Sequence, residues 1–143
     1  MYYLTKRFRF EAAHRLAKGY KGKCANIHGH SWNGEIKIAC TKLDAQDMGV
    51  DFKEIGLFLE SIEDLFDHAI LLHESDTDLI QLCEDNKWSV VEFKENPTCE
   101  TLARYIFNKA NNEWKKFSLF RVESVTIEET CTTSCTYFLN YSL

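Results

Sequence analysis

From Tyr2 to His14 the even positions run Tyr2, Leu4, Lys6, Phe8, Phe10, Ala12 and His14, while the odd positions are mostly polar or charged. A period of two is the mark of a strand with one buried face. From His28 to Cys40 the even positions again hold the apolar set, Trp32, Ile36, Ile38 and Cys40, and His28 and His30 share their parity. If residues 15 to 27 join the two strands as an antiparallel pair, the end of the first lies beside the start of the second. His14, His28 and His30 then meet on the core-facing side.

The period changes after Asp51. Phe52, Ile55, Phe58, Leu59, Ile62, Leu65 and Phe66 recur every three to four residues, which predicts a helix with one buried face, capped by Asp51 with Glu54 three residues on and ending near Asp67. Asn96-Pro97-Thr98 opens a second helix, with the proline in its first turn and Leu102, Ile106 and Ala110 as its stripe, widened by Ala103, Phe107 and Trp114. Trp88 to Phe93 reads as a short strand between them. Arg121 to Thr130 alternates again, with Val125, Ile127 and Glu129 on one face, and Tyr137 to Tyr141 reads as a last strand. The order implies an α+β domain, helices on one face of an antiparallel sheet. Nothing marks a linker, so residues 1–143 read as a single domain.

Composition narrows the class of function. A chain of 143 residues with 45% hydrophobic and 27% charged residues is ordinary for a soluble globular protein, and a net charge of −5 argues against general nucleic-acid binding. There is no signal-peptide pattern and no membrane-length apolar run, which predicts a cytoplasmic protein. In that reducing compartment the six cysteines read as free thiols or metal ligands, with Cys40 and Cys83 as small core residues. The charge is uneven: residues 1–23 hold seven basic residues against the single acid Glu11, a local balance of +6, so the remainder carries −11. Such a field attracts an anionic small molecule.

Neutral imidazoles are good zinc ligands, and three protein ligands leave a fourth tetrahedral position open, as in catalytic sites. His14, His28 and His30 therefore predict an open metal centre; iron, nickel or cobalt could use the same ligands. His73 reads as a satisfied core histidine. Cys24, four residues before His28, has three readings: a fourth ligand that closes the site, an inert loop residue, or a thiolate acting as base or nucleophile. Asp67-His68 reads either as a helix-terminal pair serving the helix dipole or as a carboxylate orienting an imidazole for proton exchange. Glu129, a carboxylate on an apolar strand face, needs a basic partner or a ligand whose adjacent N–H groups it can accept. Thr98 and Glu100 are weaker candidates, since capping explains Thr98 equally well.

Phe10-Glu11-Ala12-Ala13-His14-Arg15-Leu16, Lys23-Cys24 followed by His28-Gly29-His30, Val50-Asp51-Phe52, Asp67-His68, Pro97-Thr98-Cys99-Glu100 and Glu129-Thr130-Cys131-Thr132 occur in this order. Together they resemble the 6-pyruvoyl-tetrahydropterin synthase superfamily, most closely its bacterial 6-carboxy-5,6,7,8-tetrahydropterin synthases of queuosine biosynthesis. Three residues between Cys24 and His28 are similar to the carboxy branch. The resemblance implies a tunnelling (T-) fold: an antiparallel four-stranded sheet with two main helices on one face, assembled into homohexamers (dimers of trimers) with active sites at subunit interfaces. It implies Zn2+ on His14, His28 and His30, Cys24 as general base, Asp67 and His68 as proton relay, and Glu129 as a catalytic residue that grips the pterin and joins that relay, with Thr98 and Glu100 nearby. The implied reaction is a lyase step from 7,8-dihydroneopterin triphosphate to 6-carboxytetrahydropterin, acetaldehyde and triphosphate. The pyruvoyl-forming reaction and a non-catalytic zinc module are the alternatives. Two departures stand out: the segment 69–96 is longer than in the shortest members and adds a helix and strand at the rim, and the C-terminus lacks the family's basic-glycine-acidic ending.

Overall fold

The computed structural model describes residues 1–139. Strands β1 (Tyr2–His14) and β2 (His28–Cys40) pair antiparallel along their whole length, from Tyr2 opposite Cys40 to His14 opposite His28. This is the register demanded by the alternation, because a slip of one residue would turn every apolar side chain to the wrong face. β5 (Phe120–Thr130) follows on the far side of β2, and β6 (Thr133–Tyr137) pairs with β5. A register shift beside Lys37 and Ile38 breaks the alternation early in β5, and its pairing with β6 shifts again between Glu128 and Thr130. The last strand thus lies earlier than the expected Tyr137–Tyr141, of which residues 140 and 141 fall outside the described residues.

Helices α1 (Phe52–Phe66) and α3 (Cys99–Trp114) pack on the even-numbered face. Phe10, Trp32 and Ile36 from the strands share one core with Ile55, Phe58 and Ile62 of α1 and Leu102, Ile106 and Phe107 of α3. Asp51 caps α1 through Lys53 N–H at 2.8 Å, as the pattern required. Phe52, counted in the buried stripe, is exposed instead, since it lies at the first position of the helix, beyond the edge of the core. Thr98, not Asn96, caps α3 by accepting from Thr101 N–H. Pro97 therefore precedes the cap and does not stand in the first turn; the hydroxyl can accept an orphan N–H where the proline cannot.

The insertion departs most from expectation. It contains two strands, β3 (Ile70–His73) and β4 (Val90–Phe93), joined by α2 (Thr77–Asp85). β3 pairs parallel with β1 and β4 parallel with β3, so the sheet has six strands in the order β4-β3-β1-β2-β5-β6, not four. Leu71 enters the main core, whereas its neighbour Leu72 packs with Ile80 and Cys83, which puts α2 on the opposite face of the sheet from α1 and α3. β3 was illegible because a strand covered on both sides shows no alternation. Cys40 and Cys83 are buried, as expected. His73 is buried too but only half satisfied: Nδ1 accepts from Ser75 N–H at 3.0 Å, and Nε2 has no partner among the described residues.

One close approach is built on a missing side chain. Gly34 faces Phe8 across the β1–β2 pair, and a Cβ there would lie 2.1 Å from the ring's Cζ. Phe8 is itself packed in the core, so its ring would have to shift. Gly34→Ala is expected to cost about 1–3 kcal/mol by overpacking, read as a lowered urea midpoint with an unchanged slope.

Candidate active site

The pairing of β1 with β2 sets His14 directly opposite His28, with His30 opposite Ala12 on the same face. One ring nitrogen from each of the three lies within 4.8 Å of the others. The protonation of the rings follows from their neighbours. His14 Nδ1 donates to the Pro97 carbonyl at 2.7 Å, and His28 Nδ1 donates to the Asn26 carbonyl at 2.8 Å. A carbonyl can only accept, so in each neutral ring the proton sits on Nδ1 and Nε2 carries a lone pair. Those two Nε2 atoms face each other at 3.2 Å. His30 Nε2 is buried without a hydrogen-bond partner among the described residues.

Glu129 completes this concentration of electron pairs. Its Oε1 lies 3.3 Å from His14 Nε2 and 3.6 Å from His30 Nε2. Lone pairs at such separations repel unless a cation or proton lies among them, and burial makes the proton a poor answer. The His14 pKa falls to about 4, chiefly through desolvation and then through the charges of His28 and His30, against the Pro97 hydrogen bond. His30 is lowered as well, by burial first, with Glu129 pulling the other way. His14 is therefore neutral at physiological pH, and the three rings fit a divalent cation with three nitrogen ligands, each of two rings fixed by an outer carbonyl. Trp32 forms the floor: its ring meets His14 and His30 edge-on with centroids 5.0 and 5.2 Å away, and its Nε1–H donates to Ala12 O at 3.2 Å.

Cys24 lies in a single 3₁₀ turn, Lys23–Ala25, half-buried, where Leu16 N–H donates to its carbonyl at 2.8 Å. Among the described residues the converging donor atoms are those of the three histidines, and its sulfur is not one of them. The Tyr20 hydroxyl is raised by the adjacent Cys24 thiol.

Asp67 and His68 are joined as expected. Asp67 is the C-cap of α1, and its Oδ2 meets His68 Nδ1 at 2.8 Å. His68 adopts φ 59°, a left-handed conformation that non-glycine residues rarely hold. β1 supports it: His68 N–H donates to Glu11 O at 2.6 Å, and Glu11 N–H donates to Asp67 Oδ1 at 2.8 Å. The Glu11 N–H, then His68, hold the Asp67 carboxyl below its usual range. His68 borders a cavity of about 390 Å³ with Glu11, Ala12, Ala13, Gly29, His30 and Ser31.

The start of α3 belongs to the cluster's side. Pro97 O holds His14, and Thr98 serves as the cap. The Glu100 carboxyl is lowered by the Thr98 hydroxyl and its own N–H, while burial and then Glu100 push the Cys99 thiol up to about 12. Sequence reasoning missed the carbonyls of Asn26 and Pro97, because backbone groups leave no signature in composition or spacing.

Fold and site together define a tetrahydropterin synthase of the T-fold class. The family model of 6-pyruvoyl tetrahydropterin synthase matches residues 3–140, and the chain belongs to that family. Among its relatives, the 6-carboxy-5,6,7,8-tetrahydropterin synthase of Rickettsia bellii is 33% identical over 128 residues, covering 88% of this chain and 92% of the relative. The enzyme of the same name from Haemophilus influenzae is 30% identical, with 96% and 99% covered. Caenorhabditis elegans 6-pyruvoyl tetrahydropterin synthase superposes with a TM-score of 0.70 at 25% identity, covering 97% of this chain and 96% of its own. An uncharacterized Wolinella succinogenes protein shares the fold at a TM-score of 0.83 and 19% identity, with 96% and 97% covered.

Proposed function

We propose that this chain is a zinc-dependent 6-carboxy-5,6,7,8-tetrahydropterin synthase, its residues 1–143 forming one synthase domain. It converts 7,8-dihydroneopterin triphosphate to 6-carboxytetrahydropterin, acetaldehyde and triphosphate, in the cytoplasm, for queuosine (7-deazaguanine) biosynthesis. The observation that carries this reading is the convergence of three imidazoles on one point, one with a buried orphan nitrogen, beside a carboxylate. The names of the relatives support the carboxy product.

His14, His28 and His30 would hold the ion, which when bound supplies Lewis-acid polarisation of the substrate's side-chain oxygens. Glu129 accepts two parallel hydrogen bonds from the pterin's 2-amino group and ring N–H, with Thr98 and Glu100 flanking it. Cys24 removes a proton from the side-chain carbon. Asp67 and His68 relay protons, Asp67 keeping the imidazole oriented through Nδ1. In this reading the active species is a homo-oligomer, a hexamer, with a second copy of the chain completing each site. The basic N-terminal segment draws in the triphosphate.

Incubating the zinc-loaded protein with 7,8-dihydroneopterin triphosphate tests the assignment. Carboxytetrahydropterin and acetaldehyde are expected by mass spectrometry. A pyruvoyl product would assign the other branch, and intact substrate would refute the activity.

A further inference from the structure

The loop of residues 15–27 carries Cys24 and has only one 3₁₀ turn of regular structure. Its anchors come largely from the insertion. Lys18 N–H donates to Asn96 Oδ1 at 3.1 Å, and Asn96 Nδ2–H donates back to Lys18 O at 3.1 Å. One side-chain amide thus satisfies both backbone groups of Lys18, as a neighbouring strand would. Arg15 makes a fork to Asp76, Nε to Oδ2 at 2.5 Å and Nη2 to Oδ1 at 2.7 Å. Asp76 is buried and stands at the cap position of α2, yet makes no side-chain cap bond, so its carboxylate is committed to Arg15.

Asn96 also adjoins Pro97, whose carbonyl orients His14, and Thr98, which caps α3. The residue that grips the loop is therefore covalently next to the group that fixes a metal ligand. We propose that Asn96, with Asp76 as a second anchor, is a positioning residue that holds the Cys24 loop in register with the histidine cluster, and that this is what the insertion does. The inference rests on Cys24 being the base. Unanchored, a thirteen-residue loop containing Gly19 and Gly22 would sample many placements of the thiol.

The test compares zinc-loaded Asn96→Ala, Asn96→Asp and Asp76→Asn with the parent by hydrogen exchange, zinc content and steady-state kinetics on 7,8-dihydroneopterin triphosphate. In Asn96→Ala, amides of residues 15–27 should exchange at least about tenfold faster while the strands keep their protection. Its kcat should fall by about 10- to 100-fold with KM little changed, the cost of misplacing a reacting group. Zinc content should not change. Asn96→Asp keeps the acceptor for Lys18 N–H and should recover part of kcat; Asp76→Asn should show a smaller version of the alanine effect. Unchanged exchange in the loop, faster exchange spread over the whole sheet, or loss of zinc would overturn the proposal. If Cys24→Ala retains full turnover, the base assignment fails by itself, and the exchange data still judge the anchor.

Discussion

Replacing His28 with alanine is expected to remove the metal and the reaction together. His28 contributes one of the three converging nitrogens, and its Nε2 lies 3.2 Å from that of His14. Two remaining imidazoles cannot complete a three-ligand open centre. The metal-free variant should not be greatly destabilised, since the substitution also removes a lone-pair repulsion from a half-buried position. What it should lose is stabilisation by zinc, which for the parent reaches about 2.7 kcal/mol at a hundredfold excess over Kd. Metal content after dialysis and calorimetry with and without zinc would read this directly. Zinc retained at the parental stoichiometry would remove His28 from the ligand set.

Cys24→Ala should separate the two properties that His28→Ala removes together. The thiol stands outside the donor group, so the variant is expected to bind zinc as the parent does. Loss of a general base typically costs about 100- to 10,000-fold in rate, and turnover should fall by that order while pterin binding survives through Glu129. Zinc quantification paired with single-turnover product formation distinguishes the outcomes. A variant that drops its metal would make Cys24 a ligand and the centre closed; a variant with full turnover would return it to an inert loop residue.

Much of this site could be read before folding because its logic is periodic. Even numbering alone put His14, His28 and His30 on the face of Phe10 and Trp32, and antiparallel pairing then left them one place to meet. Glu129 was legible for the same reason, as the charged member of an apolar row with Val125 and Ile127. The cap of α1 followed from local hydrogen-bond chemistry. β3 and the parallel edge were not legible, because Leu71 and Leu72 are covered on opposite faces and leave no alternation to count.

By itself, then, the sequence determined which residue types share a face, where α1 starts and that a three-imidazole centre forms, since these depend on backbone periods and neighbouring side chains. Only the tertiary structure decided which nitrogen of His14 is free, because that depends on a carbonyl 83 residues away. It alone tied Asp67 and His68 to the Glu11 backbone, and it alone joined the Cys24 loop to Asn96 and Asp76. Such contacts join segments distant in the chain through single hydrogen bonds. No period or spacing along the sequence encodes them.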